Sequence, residues 1–281
     1  MFVTGCHRSG TSLVASLLRQ LLDLEQENAD ELPPAPDNPR GFQESKSLNR
    51  LNNQLLSLAG CRWDYPPLVM PDWSSGPLFD LLFEKRAEFS PYALRHRWIE
   101  KNPRLCITAS AMEHLLLKRV PFVVSLRSPE VVATSLYRRN GLSPQHGLLI
   151  WFLYNFHLAS VLRSSDFFLT YESVLGSKAD AVIEALFDFL ERSGMDPDRQ
   201  GIDRARKYID GRLNRAGDGV IDFSGDASVL AQGCRDCYEA CVSGDGPIEC
   251  FKSSFASLPR SLVDQLSRYG RWDWAGLADS K

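Results

Sequence analysis

The stretch Phe2-Val3-Thr4-Gly5-Cys6-His7-Arg8-Ser9-Gly10-Thr11-Ser12 has the make-up of an anion cradle. An extended apolar start runs into a turn of glycines and small hydroxyls, and then into a helix carried by Leu13, Val14, Leu17, Leu18, Leu21 and Leu22. Glycine lets the backbone double back beneath a ligand, and the positive end of the following helix points at whatever lies in the turn. Gly5 and Gly10 have the spacing of a nucleoside-triphosphate loop, but that pattern continues with Lys and then Ser or Thr, where this chain has Thr11 and Ser12. Arg8 is the cation available inside the turn, so the expected anion is not a triphosphate gripped with magnesium. Two more cations fall where strands end. Arg97 to Arg104 reads as a short strand entering a helix from Leu105 to Lys118, which puts Lys101 at a strand's carboxyl end, the edge where open α/β sheets bind ligands. Val120 to Leu126 is a nearly continuous apolar run, the mark of a strand buried on both faces, and Arg127-Ser128-Pro129-Glu130 follows it as a helix-starting corner with Arg127 at its mouth. Glu44 stands at a loop-to-helix boundary, where a carboxylate either complements a helix dipole or serves as a general base.

His7-Arg8-Ser9-Gly10-Thr11-Ser12 resembles the 5′-phosphosulfate-binding loop of sulfotransferases that use 3′-phosphoadenosine 5′-phosphosulfate, in the Arg-Ser-Gly-Thr form of the Golgi and bacterial carbohydrate and tyrosylprotein branches. The resemblance implies that Gly5, His7, Arg8, Ser9, Gly10, Thr11 and Ser12 hold the 5′ end of that nucleotide. In the family an Arg at a strand end and a Ser eight residues later bind the 3′-phosphate; here these are Arg127 and Ser135. Tyr171-Glu172 resembles a Tyr-Glu pair whose Tyr contacts the adenosine or its 3′-phosphate. Gly41-Phe42-Gln43-Glu44 resembles the element that supplies the general base, which implies Glu44 in that role, with His7 as runner-up. Lys101-Asn102-Pro103 stands where tyrosylprotein relatives have Lys-Asp-Pro, and implies that Lys101, with Arg8, stabilises the leaving group. Arg268, Gly270 and Arg271 are candidates for a basic-glycine element near the 3′-phosphate. The implied fold is α/β, a central parallel sheet flanked by helices of the P-loop-like sulfotransferase type. The implied reaction transfers a sulfuryl group to an acceptor hydroxyl of a glycan or small metabolite, without a metal, leaving 3′-phosphoadenosine 5′-phosphate. A P-loop-type small-molecule kinase and a non-catalytic nucleotide-binding relative are the alternatives. The resemblance covers residues 1 to about 192 and fades beyond.

A chain of 281 residues with 44% hydrophobic content is sized for one domain, expected over 1–281 with a helical or irregular insertion at about 195–259. A net charge of -3 offers no basic field for nucleic acid. The longest apolar run, Leu148 to Tyr154, is far short of a bilayer span, and no basic-then-apolar leader opens the chain, so a cytoplasmic, bacterial-type enzyme is expected. Seven cysteines, scattered and odd in number, fit a reducing compartment. Cys234, Cys237, Cys241 and Cys250 have a spacing that could hold zinc, but the first three also share one helix face, and that core reading is preferred. Pro33, Pro34, Pro36 and Pro39 mark Glu25 to Ser47 as a long loop, and Cys61 to Pro77, rich in aromatics and proline, reads either as a substrate-facing loop or as a packed cover. Helices are expected over Gly147–Arg163 and Ala179–Arg192, a third buried strand over Asp166–Glu172, and structural roles for His146 and His157.

Overall fold

A computed structural model describes residues 1–24, 30–34, 41–209, 221–243 and 247–256. Pro36, Pro39, Arg268, Gly270 and Arg271 lie outside the described residues. Four short strands, β1 (Phe2–Thr4), β2 (Glu100–Lys101), β3 (Phe122–Leu126) and β4 (Phe167–Thr170), form an all-parallel sheet in the order β2-β1-β3-β4. Val3 pairs with Lys101 on one side and Val123 on the other, and Leu126 pairs with Thr170, so all four strands end along one edge.

Side chains alternate across the sheet, as strand geometry requires. Val3, Val123 and Leu169 face one apolar cluster with helices α1 (Thr11–Leu22), α8 (Ala179–Arg192) and α9 (Gln200–Tyr208). Phe2, Phe122, Val124, Leu126 and Phe168 face a second cluster, with α4 (Leu105–Leu116), α5 (Pro129–Asn140), α6 (Pro144–Val161), α10 (Asp226–Ser243) and α11 (Pro247–Ser254). The architecture is α/β with helices on both faces. The chain after β1 turns onto one face through α1, and the chain after β3 turns onto the other through α5. A crevice therefore opens between the carboxyl ends of β1 and β3, the position that binds ligands in sheets of this kind.

Helix α6 is apolar around its whole circumference and has to be central; Trp151, Phe152 and Tyr154 are fully buried. It starts earlier than the periodicity predicts, because the Ser143 hydroxyl accepts from the His146 amide and Pro144 fits the first turn. The strand expected to run to Glu172 stops at Thr170, whose hydroxyl caps the five-residue α7 (Tyr171–Leu175). One long helix, α3 (Gly76–Leu94), is not signalled by the pattern, since it buries only Leu82 and Phe89. The described part of residues 195–259 carries helices α9, α10 and α11 joined by short irregular segments. Leu230, Cys234 and Cys241 of α10, Phe251 of α11 and Phe255 just beyond it belong to the second core cluster.

Candidate active site at the carboxyl edge of the sheet

The turn after β1 takes its shape from its neighbours. Arg8 and Gly10 adopt left-handed conformations, φ 69° and 80°, and Gly10 caps α1. A side chain at Gly10 would start 2.0 Å from the Tyr171 ring, and one at Gly5 would start 2.1 Å from the Ser125 carbonyl oxygen, so glycine is dictated at both positions. The Ser125 hydroxyl donates to the Ser9 carbonyl at 2.6 Å, and Arg127 donates to the Arg8 carbonyl at 3.1 Å. Helix α1 has no acidic residue in its first turn, which leaves its positive end uncompensated behind the turn. Thr11 is buried at its start, and the Ser12 hydroxyl donates to the Phe42 carbonyl at 3.1 Å. The buried Ser9 hydroxyl has no partner among the described residues.

The two halves of the expected nucleotide site meet here. The Arg8 guanidinium Nε donates to the Ser135 hydroxyl at 2.8 Å, although 127 residues separate them in sequence. Arg127 lies over the Tyr171 ring, 4.1 Å from its centroid, and the Arg127 carbonyl takes the indole N–H of Trp151. Tyr171 is thus buried as a floor beneath Gly10 and Arg127.

Glu44 and Lys101 form a second group. Glu44 lies one residue before Ser45, whose side chain caps helix α2 (Lys46–Leu58), and its carbonyl accepts from the Leu32 amide. Its carboxylate is buried among donors: Lys101 Nζ at 2.6 Å on Oε1, with Asn49 Nδ2 at 2.9 Å and Asn102 Nδ2 at 3.2 Å on Oε2. Arg104 approaches the same Oε2 at 3.9 Å. Burial lowers the Lys101 ammonium, the Glu44 carboxylate opposes that, and Arg104 and Arg8 add to it. The orientation of Asn102 is fixed chemically: its Oδ1 accepts from the Arg104 amide at 2.9 Å, so the end facing Glu44 is the donor. Sequence spacing singles out neither Asn49 nor Asn102, because each acts through a carboxylate from another element.

His7 forms the far wall. Its ring lies 4.8 Å from that of Trp63 and 5.4 Å from that of Tyr154, and its Nε2, shielded from solvent, has no partner among the described residues. Burial, then the charges of Arg104, Lys101, Arg139 and Arg8, hold His7 well below the usual imidazole range, so the ring is neutral at pH 7. The segment carrying Trp63 is stapled to α6. Tyr154 donates to the Trp63 carbonyl at 2.8 Å, His146 to that of Asp64 at 2.6 Å and His157 to that of Pro67 at 2.6 Å. It is a packed cover whose half-buried Trp63 still borders the site.

Away from this edge, Cys234, Cys237 and Cys241 are buried free thiols along α10. Burial pushes Cys237 up to about 11 and Cys241 up to about 12, so both are protonated. Among the described residues no group of three or more His, Cys, Asp or Glu is placed to hold a metal, and no helix is long and apolar enough to cross a membrane. No family model matches the chain, and no curated protein matches it.

Proposed function

We propose that this chain is a sulfotransferase that moves a sulfuryl group from 3′-phosphoadenosine 5′-phosphosulfate to an acceptor hydroxyl, and that its sheet is of the P-loop-like sulfotransferase type. The observation that carries the reading is the convergence of the Arg8 turn, Arg127 with Ser135, and the buried Glu44–Lys101 pair on one crevice. The donor set fits the nucleotide. Arg8 and the positive end of α1 suit a 5′-phosphosulfate, Arg127 and Ser135 offer paired and single donors to a 3′-phosphate, and the unpartnered Ser9 hydroxyl is one more donor in the cradle.

When bound, the nucleotide supplies a sulfuryl group whose bond to the 5′-phosphate oxygen breaks as the acceptor oxygen bonds to sulfur. Arg8 and Lys101 neutralise charge on the departing oxygen, as oriented cations do in phosphoryl transfer. Glu44 takes the acceptor's hydroxyl proton. For Glu44 to take that proton, Lys101 would have to leave Oε1, while Asn49 and Asn102 would keep Oε2 in place. His7, already neutral, shapes the pocket wall with Trp63.

The test is thermal unfolding of the purified chain with 3′-phosphoadenosine 5′-phosphate, with magnesium ATP, and with no ligand. The bisphosphate at about one hundred times its Kd contributes about 2.7 kcal/mol, a Tm rise of about 5 °C or more, which Arg127→Ala abolishes. A rise with magnesium ATP and none with the bisphosphate overturns the reading in favour of a kinase.

A further inference from the structure

Helix α3 gives one face to the core, with Leu82 and Phe89 buried and Leu78, Leu81 and Tyr92 packed against the same cluster. Phe83, Ala87, Ser90 and Leu94 follow one another at steps of four, three and four residues, which sets them in one stripe on the opposite side, and all four are exposed. Phe83 is 63% and Leu94 78% exposed, a large apolar area on a helix whose other face already has its core. The Phe83 ring is held: the Arg86 guanidinium lies 5.1 Å from its centroid and donates to the His114 carbonyl at 3.2 Å. Between the two large residues the surface is low and its polar groups are satisfied. Pro91 has no amide to give the Ala87 carbonyl, and the Ser90 hydroxyl donates to that carbonyl instead, at 2.9 Å. Where α3 ends, the Lys118 ammonium donates to the Ala93 carbonyl, and the neighbouring Leu117, also exposed, holds a left-handed conformation, φ 53°, that favours glycine over leucine.

We propose that this face is the contact between two copies of the chain, packed with α3 antiparallel to α3 about a two-fold axis. Such a contact sets each position against its equivalent on the far side of the axis, and the stripe matches itself in that way: Phe83 and Leu94 stand equally far from its midpoint, and so do Ala87 and Ser90. An axis between Ala87 and Ser90 lets the helices approach closely over small side chains and sets Phe83 of each copy on Leu94 of the other. Charge follows the same arrangement. Glu84 and Glu88 both pair with Lys85 within the helix, so the ends decide, with exposed Asp80 near the amino end and exposed Arg95 and His96 just past the carboxyl end. Parallel helices would set like ends together, whereas antiparallel helices set Asp80 of one copy toward Arg95 of the other. Two copies meet here whether or not the carboxyl edge of the sheet transfers a sulfuryl group.

The experiment is sedimentation velocity of the full chain from about 1 to about 100 μM, a span that brackets micromolar affinity. A species of twice the 31.6 kDa of one chain is expected to grow with concentration. Ala87→Glu sets two carboxylates at the axis and is expected to raise the Kd of the dimer about a hundredfold or more, with unchanged circular dichroism. Leu94→Ser, which only trims an exposed side chain, is expected to raise it about tenfold. Asp80→Arg is expected to raise it about threefold, and adding Arg95→Asp to restore it. A wild type that stays monomeric throughout overturns the inference and leaves the face to a different partner. A dimer untouched by Ala87→Glu and by Leu94→Ser overturns it too, because the contact then lies elsewhere. A charge swap that fails to restore the dimer overturns the antiparallel arrangement.

Discussion

Asn102 shows how one amide fixes the chemistry around it. Its oxygen receives the Arg104 amide and its nitrogen serves Glu44, an arrangement aspartate cannot reproduce because it has only acceptors at neutral pH. Asn102→Asp keeps the first bond and sets a second carboxylate against Glu44 Oε2. The expected cost is about 1–3 kcal/mol at pH 8, from the lost donor and the like-charge contact. Urea unfolding of both proteins at pH 8 measures it, and an unchanged midpoint would show that neither the donor nor the repulsion matters. Histidine sets a pH effect. His7, His146 and His157 all titrate below the usual imidazole value, in each case chiefly through burial. The unfolded chain takes up these protons first as pH falls through about 6.5, so stability is held above that pH and lost below it. Each histidine contributes a slope approaching about 1.4 kcal/mol per pH unit. His157→Gln, which keeps a donor for the Pro67 carbonyl, should flatten the profile of Tm between pH 7 and pH 5.

Helices α5 and α6 cross where Gly147 faces Ala133, and a methyl group on Gly147 would lie 2.8 Å from the Ala133 Cα. Alanine improves helix propensity by about 1 kcal/mol over glycine, but the obstacle is backbone, which cannot swing aside. Gly147→Ala should therefore destabilise by a net of about 1–3 kcal/mol in chemical denaturation, and Ala133→Gly should recover part of it. The crossing holds Ser135 and Trp151 in place, so an element-level fault reaches the crevice. At this scale much was legible in the sequence. Apolar runs marked β3 and β4, leucine spacing marked α1, and the Cys234, Cys237 and Cys241 spacing marked a buried helix face. Helix α3 was not, because two buried residues in nineteen leave no stripe to read. The site was legible as a set of residues and not as a set of bonds. Arg8 and Ser135, or Glu44 and Lys101, meet only after the strands take the order β2-β1-β3-β4, and local pattern does not encode that order.

Across the whole molecule the two edges of the sheet have different tasks. At the amino edge the fully buried Asp166 carboxylate accepts from the Phe122 and Arg163 amides and pairs with Arg119, a clamp that joins β3 to β4. At the carboxyl edge polar groups are left open. The late helices close the core beneath that edge: the Phe251 ring packs at a tilt 5.3 Å from Phe168 and 5.0 Å from Phe255, which in turn meets Trp151 and Phe152. Phe251→Ala should cost about 3–5 kcal/mol by cavity formation, read from the urea midpoint at an unchanged m value, even though the residue lies nearly 250 positions from the turn that opens the chain. That distance also bears on how the protein is made. The turn after β1 leaves the ribosome before the residues that impose its curvature, Ser125, Arg127 and Tyr171, which are synthesised more than a hundred residues later. A nascent chain that ends before β3 carries every residue of the cradle and has nothing to bend it against. Nucleotide affinity of the kind proposed above would then require a chain synthesised past Tyr171, so ligand capture would report assembly of the sheet rather than formation of the turn alone.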